Sequence, residues 1–214
     1  RVTIQGQNLL GGGASVSSIK LGGVEVAEVI SFSSTEVQVV AAISASAIAN
    51  GTITITAGSG AHLTSENSWS YEAPGVTSSI VPEQGQYKTL VTIEGTSLFG
   101  HGASVAKVEL AGVEATIVSQ SDESVVVQAT ANSATSVGAV TLYANTGAVV
   151  TESNGWQYVA VGNVTGIEPS SGQTGTRVTI SGTTLQGGGN AISSVRLVGV
   201  ETTIVNESDT SITV

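Results

Sequence analysis

Histidine and aspartate, which often take part in catalysis, are rare in this chain. Their spacing does not indicate a shared active site. Its two histidines, His62 and His101, stand in unrelated sequence contexts, and its aspartates are Asp122 and Asp209. A Ser-His-Asp triad needs one of each within hydrogen-bond reach, and general acid–base catalysis needs two facing carboxyl groups. Both aspartates instead fall in turns of similar sequence. We therefore predict no catalytic residues and a protein that is not an enzyme.

Glycine-rich loops at residues 11–13, 100–102 and 187–189 are the next candidates, because such loops can cradle phosphate groups. A phosphate cradle needs a helix directly behind the glycines, usually with a Lys-Ser/Thr pair. Strand-forming sequence follows each of these loops. The glycines therefore indicate turns with positive φ, and we expect no cofactor.

Three Asn-x-Ser/Thr triplets are candidate N-glycosylation sites, at Asn50, Asn163 and Asn206. We expect each of them in a loop or at a domain junction. A chain this rich in Ser and Thr produces such triplets by chance nearly as often, so both explanations stay open.

Aromatic residues suggest two further kinds of site. Trp-x-Tyr occurs at residues 69–71 and again at 156–158, and a repeated position favours packing in a core or between domains over a sugar-binding platform. Unrepeated loop residues are better candidates for recognition. On that ground we select Tyr87, Phe99 and His101 as candidate binding residues.

Composition indicates the fold class and excludes several functions. Hydrophobic residues make up 40% of the chain and charged residues 10%, with few helix formers, which is typical of an all-β protein. The net charge of −10 disfavours nucleic acids and anionic lipid surfaces as partners. With no cysteine there is no disulfide framework or sulfur-ligated zinc. The glutamates are scattered singly as in a solvated surface, so we expect no metal, and no apolar run predicts membrane insertion.

The elements that would position any site are repeated three times along the chain. Val-Thr-Ile-x-Gly begins at Val2, Val91 and Val178, with spacings of 89 and 87 residues. Such a unit is long enough to be a domain. We place the first repeat at residues 1–74, without its first strand, and the complete second repeat at 75–162. The third repeat, 163–214, lacks its last strands, so we expect a segment of a longer array or ends completed by neighbouring chains.

Within the second repeat, alternating apolar residues and turn signals predict about seven short strands, which favours an immunoglobulin-like sandwich. A tight turn at Ala111-Gly112 separates two of these strands. The predicted inward residues are Ile80, Val91, Ile93, Leu98, Val108, Leu110, Val113, Ile117, Val125, Val127, Val140, Leu142 and Trp156 or Tyr158.

These motifs together resemble the IPT/TIG domain. They are a Pro-x-x-Gly opening, a Gly-x-x-Val-x-Ile-x-Gly-x-x-Leu run that is closest at residues 172–185, a Val-Gly-Val hairpin, a Ser-Asp-x-Ser turn and a closing Trp-x-Tyr. In the second repeat, Tyr87 and Lys88 depart from the run. The resemblance covers essentially the whole chain and implies an immunoglobulin-like fold, used in the family as a spacer or binding module.

For tandem copies, the resemblance implies a non-catalytic, extracellular or cell-surface segment that forms a semi-rigid stalk or filament. The junctions near residues 71–77 and 158–165 are short and apolar, which favours docked neighbours. We therefore expect neighbouring immunoglobulin-like domains, of the same or an adjacent copy, as partners. The alternatives are an adhesin or receptor segment that binds protein or glycan through loops, and an accessory domain of a carbohydrate-active enzyme.

Overall fold

The computed structural model of this protein describes residues 1–132 and 135–214, and throughout these residues the regular secondary structure is β-strand. The all-β prediction is therefore confirmed. The chain divides into two compact units, Arg1–Pro74 and Gly75–Val214. The second unit holds both the second and the third repeat, so the limits 75–162 and 163–214 stay a prediction.

The first repeat contains two separate sheets. Its strands are β1 (Val2–Gln5), β2 (Val16–Leu21), β3 (Val24–Glu25), β4 (Glu28–Phe32), β5 (Glu36–Val40), β6 (Ile48–Ala57) and β7 (His62–Tyr71). One sheet has the order β1-β5-β4 and the other β3-β2-β6-β7, with every pairing antiparallel.

Among the described residues of the second repeat there are eight strands, one of them only two residues long. They are β8 (Val76–Val81), β9 (Gln84–Gly85), β10 (Leu90–Thr96), β11 (Val105–Leu110), β12 (Val113–Gln120), β13 (Ser124–Gln128), β14 (Ser136–Ala144) and β15 (Val149–Tyr158). Their order is β8-β10-β13-β12-β11-β14-β15-β9. β12 pairs with β11 through its first half and with β13 through its second half, so it joins the two faces of the sandwich.

The third repeat continues the pattern as far as Val214. Its strands are β16 (Asn163–Glu168), β17 (Thr179–Thr183), β18 (Val195–Leu197), β19 (Val200–Thr202), β20 (Asn206–Glu207) and β21 (Ser211–Thr213). They form a sheet of order β16-β17-β21-β20 and a separate β18-β19 hairpin.

Each repeat has its own apolar cluster, and that of the second repeat is the largest. Every inward residue predicted for it lies in the cluster, although Val113 and Ile117 are only partly buried. Trp156 and Tyr158 are both fully buried, at 0% exposure. Four buried residues were not among the predicted inward residues, and each lies near a strand end or is small. They are Val105, Ala115, Ala129 and Val150. An alternating pattern identifies the middle of a strand better than its ends.

The tight turns predicted between adjacent strands all have positive φ at both central residues. The pairs are Gly22-Gly23, Ala111-Gly112 and Val198-Gly199. Two successive residues with positive φ are the mark of a type I′ turn, which matches the twist of the flanking strands. This requirement explains the glycine at the second position of every copy.

Candidate functional site: the junction between the second and third repeats

Two glutamine side chains bind main-chain groups at this junction, one in the glycine-rich loop of the third repeat and one at the last residue of the second. Gln84 Nε2 donates to the carbonyl oxygen of Gly188 at 3.1 Å, and the amide of Gly162 donates to Gln86 Oε1 at 3.0 Å. Gln84 lies on β9, whose pairing with the end of β15 holds both glutamines beside the exit of the second repeat. The junction is thereby connected by directional hydrogen bonds as well as by the chain.

The glycine-rich loop of the third repeat packs directly on this glutamine segment. A Cβ added at Gly187 would lie 2.6 Å from Gln86 Nε2, and one at Gly188 would lie 3.0 Å from a methyl of Val159 and 3.4 Å from the Cα of Gly85. Both glycines also have positive φ, 61° and 87°. The loop therefore needs glycine for its backbone conformation and for close approach to its neighbour. Sequence alone indicated the first of these reasons.

Neither glutamine was predicted as a site residue, although one signal in the sequence points to Gln86. A glutamine directly follows the Pro-x-x-Gly motif in both copies, as Gln86 and as Gln173. A polar residue that recurs beside a repeated turn is a candidate for a recurring contact. Only the structure reveals that Gln86 contacts the next domain.

The two aspartates have structural roles in the second unit. Asp122 Oδ1 accepts the amide of Phe99 at 2.8 Å, and Asp209 Oδ1 accepts the amide of Gln186 at 3.1 Å. Each carboxylate thus satisfies a backbone donor at the entrance of a glycine-rich loop. The equivalent contacts identify these residues as part of the repeated scaffold, which agrees with their occurrence in similar turns.

The candidate binding residues Tyr87, Phe99 and His101 do not form one site. Tyr87 follows β9 and precedes β10, and it is 56% exposed. Phe99 and His101 follow the opposite end of β10, and Phe99 packs partly against the core. A seven-residue strand spans roughly 23 Å, so a small ligand cannot bridge the two ends. His101 has a φ of 61°, in place of the second glycine of the other loops. The other histidine, His62, lies on β7 within 3.1 Å of Thr56 Oγ1.

The three sequon asparagines are exposed. The expected loop was wrong for Asn50 and Asn206, whereas Asn163 lies at the predicted limit between the second and third repeats. Asn50 lies inside β6, at an irregularity of its pairing with β7 and with a φ of 54°. Asn163 and Asn206 are the first residues of β16 and β20. Exposed backbone irregularities and strand ends leave all three side chains accessible to solvent.

The Trp-x-Tyr pairs are packing elements. In the second repeat the rings of Trp156 and Tyr158 meet edge to face, with centroids 5.6 Å apart, and in the first repeat Trp69 and Tyr71 do so at 5.5 Å. Burial raises the pKa of Tyr71 and Tyr158. Both observations support core packing over an exposed sugar platform.

A polar cluster that the sequence analysis did not identify lies across β11 and β14. Lys107 Nζ is 2.8 Å from Glu109 Oε1, Tyr143 Oη donates to Glu109 Oε2 at 3.0 Å, and Lys107 Nζ lies 4.2 Å from the centre of the Tyr143 ring. Hydrogen bonds from Lys107 and Tyr143 lower the pKa of Glu109, and the bond to Glu109 raises the pKa of Lys107 and of Tyr143. The cluster stabilises a cross-strand contact.

Among residues 1–132 and 135–214, acidic and histidine side chains nowhere gather in a group of three or more that could hold a metal ion. The same residues form no helix with the length and apolarity needed to cross a membrane.

The fold defines the class of protein: tandem immunoglobulin-like β-sandwiches. The family model of the IPT/TIG domain matches residues 1–71 and again residues 76–158. The chain therefore belongs to the IPT/TIG domain family, and the resemblance found in its motifs is confirmed.

Solved structures with a similar fold come from larger proteins. The full extracellular region of plexin A4 matches 99% of this chain with a TM-score of 0.50 and 22% identity, but this covers only 19% of the plexin chain. An auxiliary nutrient binding protein from Bacteroides ovatus matches 44% of this chain and 23% of its own, with a TM-score of 0.33 and 22% identity. A search of curated proteins finds no match. At these identities the likeness concerns the fold alone.

Proposed function

We propose that this chain is a non-catalytic segment of an extracellular or cell-surface protein, in which tandem IPT/TIG domains form a semi-rigid stalk. The observation that carries the proposal is the junction between the second and third repeats. There Gln84 binds the main chain of Gly188 in the third repeat, and Gln86 binds the main chain of Gly162 at the end of the second. The glycine loop packs closely on Gln86 and Val159. Domains held by a hydrogen bond and by close packing keep a preferred orientation, whereas a free linker would not.

The surface supports the same role. The net charge of −10 keeps a sparsely charged chain soluble and disfavours association with nucleic acid. The similarity in fold to an extracellular region of plexin is consistent with a location outside the cell. The partners in this proposal are neighbouring domains of the same or an adjacent copy.

A distance measurement across the junction tests the stalk. Because the chain has no cysteine, Ser119→Cys and Thr203→Cys introduce two unique labelling sites on exposed strand or loop positions of the second and third repeats. Pulsed electron paramagnetic resonance on the doubly labelled chain should give one narrow distance distribution. Replacing both junction glutamines, Gln84→Ala with Gln86→Ala, should broaden it.

The matched control is Gln173→Ala, which removes the equivalent glutamine of the third repeat and should leave the distribution unchanged. A broad distribution in the chain with intact glutamines would contradict a semi-rigid stalk.

We also propose that Asn50, Asn163 and Asn206 carry N-linked glycans when the protein passes through a secretory pathway that attaches them. Their exposure supports this. Expression in secretory eukaryotic cells should give a mass that falls on treatment with a glycosidase and that decreases stepwise in Asn→Gln variants. Asn67→Gln, at an exposed asparagine outside any sequon, is the control and should not change the mass.

If the chain is instead an adhesin segment, it has two separate candidate binding surfaces. Tyr87 lies at one end of β10, and Phe99 and His101 lie at the other. A glycan or protein screen with Tyr87→Ala and His101→Ala as separate variants tests it. A ligand lost in only one variant would support binding through that loop.

A further inference from the structure

The first and last segments of the second repeat run side by side in the same direction. The first segment, residues 75–85, contains β8 and β9 and is called the entry segment here. β9 pairs with β15 in parallel, whereas the other pairings described for this repeat are antiparallel. Two main-chain hydrogen bonds join β9 to β15. The amide of Gln157 donates to the carbonyl oxygen of Glu83 at 2.8 Å, and the amide of Val159 donates to that of Gly85 at 2.9 Å.

Close contacts place the entry segment along the whole length of β15. It begins beside the start of β15, where a Cβ added to Gly75 would lie 2.7 Å from a methyl carbon of Val150. Further along, the tip of Ile80 lies 2.6 Å from where a Cβ of Gly155 would be. It ends with β9 beside the last two residues of β15. Since β15 has ten residues and spans roughly 30 Å, the chain enters the second repeat at one end of this strand and leaves it at the other.

The entry segment is also attached to the opposite sheet of the sandwich. β8 pairs with β10 through five residue pairs, from Val76 opposite Thr96 to Val81 opposite Thr92. One half of the segment is therefore bonded to β10 and the other half to β15. To leave the domain along its own axis, the segment has to slide past both strands.

Tension along the chain loads these hydrogen bonds in shear. A pulling force draws the start of the entry segment in one direction and the end of β15 in the other, so the two parallel segments are forced to slide past each other. The hydrogen bonds between strands lie across the direction of pulling and share the load, so they have to break together. A sideways pull on the same strands would load one bond after another. Resistance to force depends on the unfolding rate, and shear raises the barrier that sets this rate.

We propose that the pairing of the entry segment with β10 and β15 is a mechanical clamp, which lets the second repeat carry tension without unfolding. This inference rests on the proposed stalk function and deepens it, because it makes the stalk a load-bearing one. Gln86 directly follows the entry segment, and its Oε1 accepts the amide of Gly162 at 3.0 Å. This side chain therefore adds a further hydrogen bond at the point where the chain leaves the clamp.

Single-molecule force spectroscopy on the 214-residue chain tests the clamp. Because the chain has no cysteine, Glu72→Cys and Val161→Cys introduce two unique attachment points, one just before and one just after the second repeat. Both residues are exposed. Pulling on this pair loads the clamp in shear. We expect one rupture event that releases roughly 300 Å of chain, the extended length of the residues between the attachment points.

The matched control changes the direction of pulling and leaves the clamp intact. Glu72→Cys is combined with Thr146→Cys, an exposed position in the turn before β15, at the end where the chain enters the repeat. Pulling on this pair separates the entry segment from β15 sideways, starting at Gly75. We expect a rupture force at least roughly twofold lower than for the first pair, because the bonds then break in sequence. Equal rupture forces for the two pairs would overturn the proposal.

Removal of one clamp hydrogen bond gives a second test. Val159→Pro deletes the amide that donates to Gly85, and it should lower the shear rupture force toward the sideways value. Ala160→Pro is the control, because the hydrogen bonds described for residues 1–132 and 135–214 do not involve the Ala160 amide, and it should leave the force unchanged. A folded Val159→Pro chain that ruptures at the native force would contradict the clamp.

The clamp and the stalk can fail separately. Equal forces in the two pulling directions, together with a narrow distance distribution across the junction, would overturn the clamp alone. The comparison of pulling directions uses the native clamp sequence, so it does not depend on the folding of the proline variants.

Discussion

At the scale of single residues, the hairpin turn of the third repeat has a residue type that does not suit its backbone conformation. Val198 has a φ of 51°, a conformation that β-branched residues rarely adopt, and its side chain is fully exposed at 104%. The turn is type I′, for which Asn-Gly is the preferred sequence. The valine therefore adds strain without burying apolar surface in return.

We predict that Val198→Asn raises the free energy of unfolding of the third repeat by about 1 kcal/mol, the lower end of the cost of such strain. Thermal denaturation followed by circular dichroism should show a higher midpoint. Val200→Asn is the control, since Val200 is 69% exposed but lies in strand β19 with ordinary backbone angles. An equal gain at Val200 would show that the effect comes from surface polarity and not from the turn.

At the scale of the elements, the hairpin between β11 and β12 rests on β14. A Cβ on Gly138 would lie 2.7 Å from the Cα of Ala111 and 2.8 Å from its Cβ. The first repeat has the same contact, in which a Cβ on Gly51 would lie 2.7 Å from the Cα of Gly22. Close approach of backbone to backbone thus fixes the hairpin over the neighbouring strand in both copies.

Gly138→Ala should therefore destabilise the second repeat by about 1–3 kcal/mol, the usual cost of overpacking. Denaturation by urea, followed through the fluorescence of buried Trp156, measures the change. Gly166→Ala is the matched control because no atom lies within 4 Å of its added Cβ, and we expect a change within about 0.5 kcal/mol. Equal losses in the two variants would contradict this contact.

The polar cluster on β11 and β14 gives a pH-dependent prediction. The pKa of Glu109 is lowered by its hydrogen bonds with Lys107 and Tyr143, so the stabilisation is complete above the ordinary pKa of a glutamate. It is lost as the pH falls through the lowered value, when the folded carboxylate becomes protonated. The melting temperature of the unmodified chain should exceed that of Glu109→Gln at neutral pH, and the difference should shrink on acidification. A difference that is constant with pH would mean that the charge of Glu109 contributes nothing.

Sequence patterns identified the middle of most elements, because alternation, turn glycines and the Ser-Asp-x-Ser turn are local signals. The Ala111-Gly112 turn lies where it was predicted, between β11 and β12. The Lys107–Glu109–Tyr143 cluster could not be predicted, since it depends on the register that places Tyr143 of β14 opposite Lys107 of β11. Register between distant strands is set by the whole sandwich and not by either strand alone.

At the scale of the whole molecule, repeated and unrepeated residues have different roles. The recurring glycines, the aspartates of the second and third copies and the Trp-x-Tyr pairs build each sandwich, and recurrence made them visible in the sequence. The junction depends on Gln84 and Gln86 meeting Gly187 and Gly188, about 100 residues later in the chain. Such a contact between domains has no local signal in the sequence. The sequence therefore indicated that the connections between repeats are short, but it did not indicate which residues form hydrogen bonds at the junction.

Cooperative folding of the second repeat by itself is the remaining prediction for the whole molecule. Its apolar cluster includes Trp156 and Tyr158, which are fully buried, and contains residues of strands from β8 to β15. The cluster of the third repeat is much smaller. It has four buried residues, which are Val178, Ile180, Ile212 and Val214. A fragment of residues 75–162 should therefore unfold in one transition, with circular dichroism and Trp156 fluorescence coinciding. A fragment of residues 163–214 should remain unfolded, because so small a core does not offset the loss of chain entropy. Separate transitions for the two probes in the longer fragment would show that the limits 75–162 do not enclose a domain.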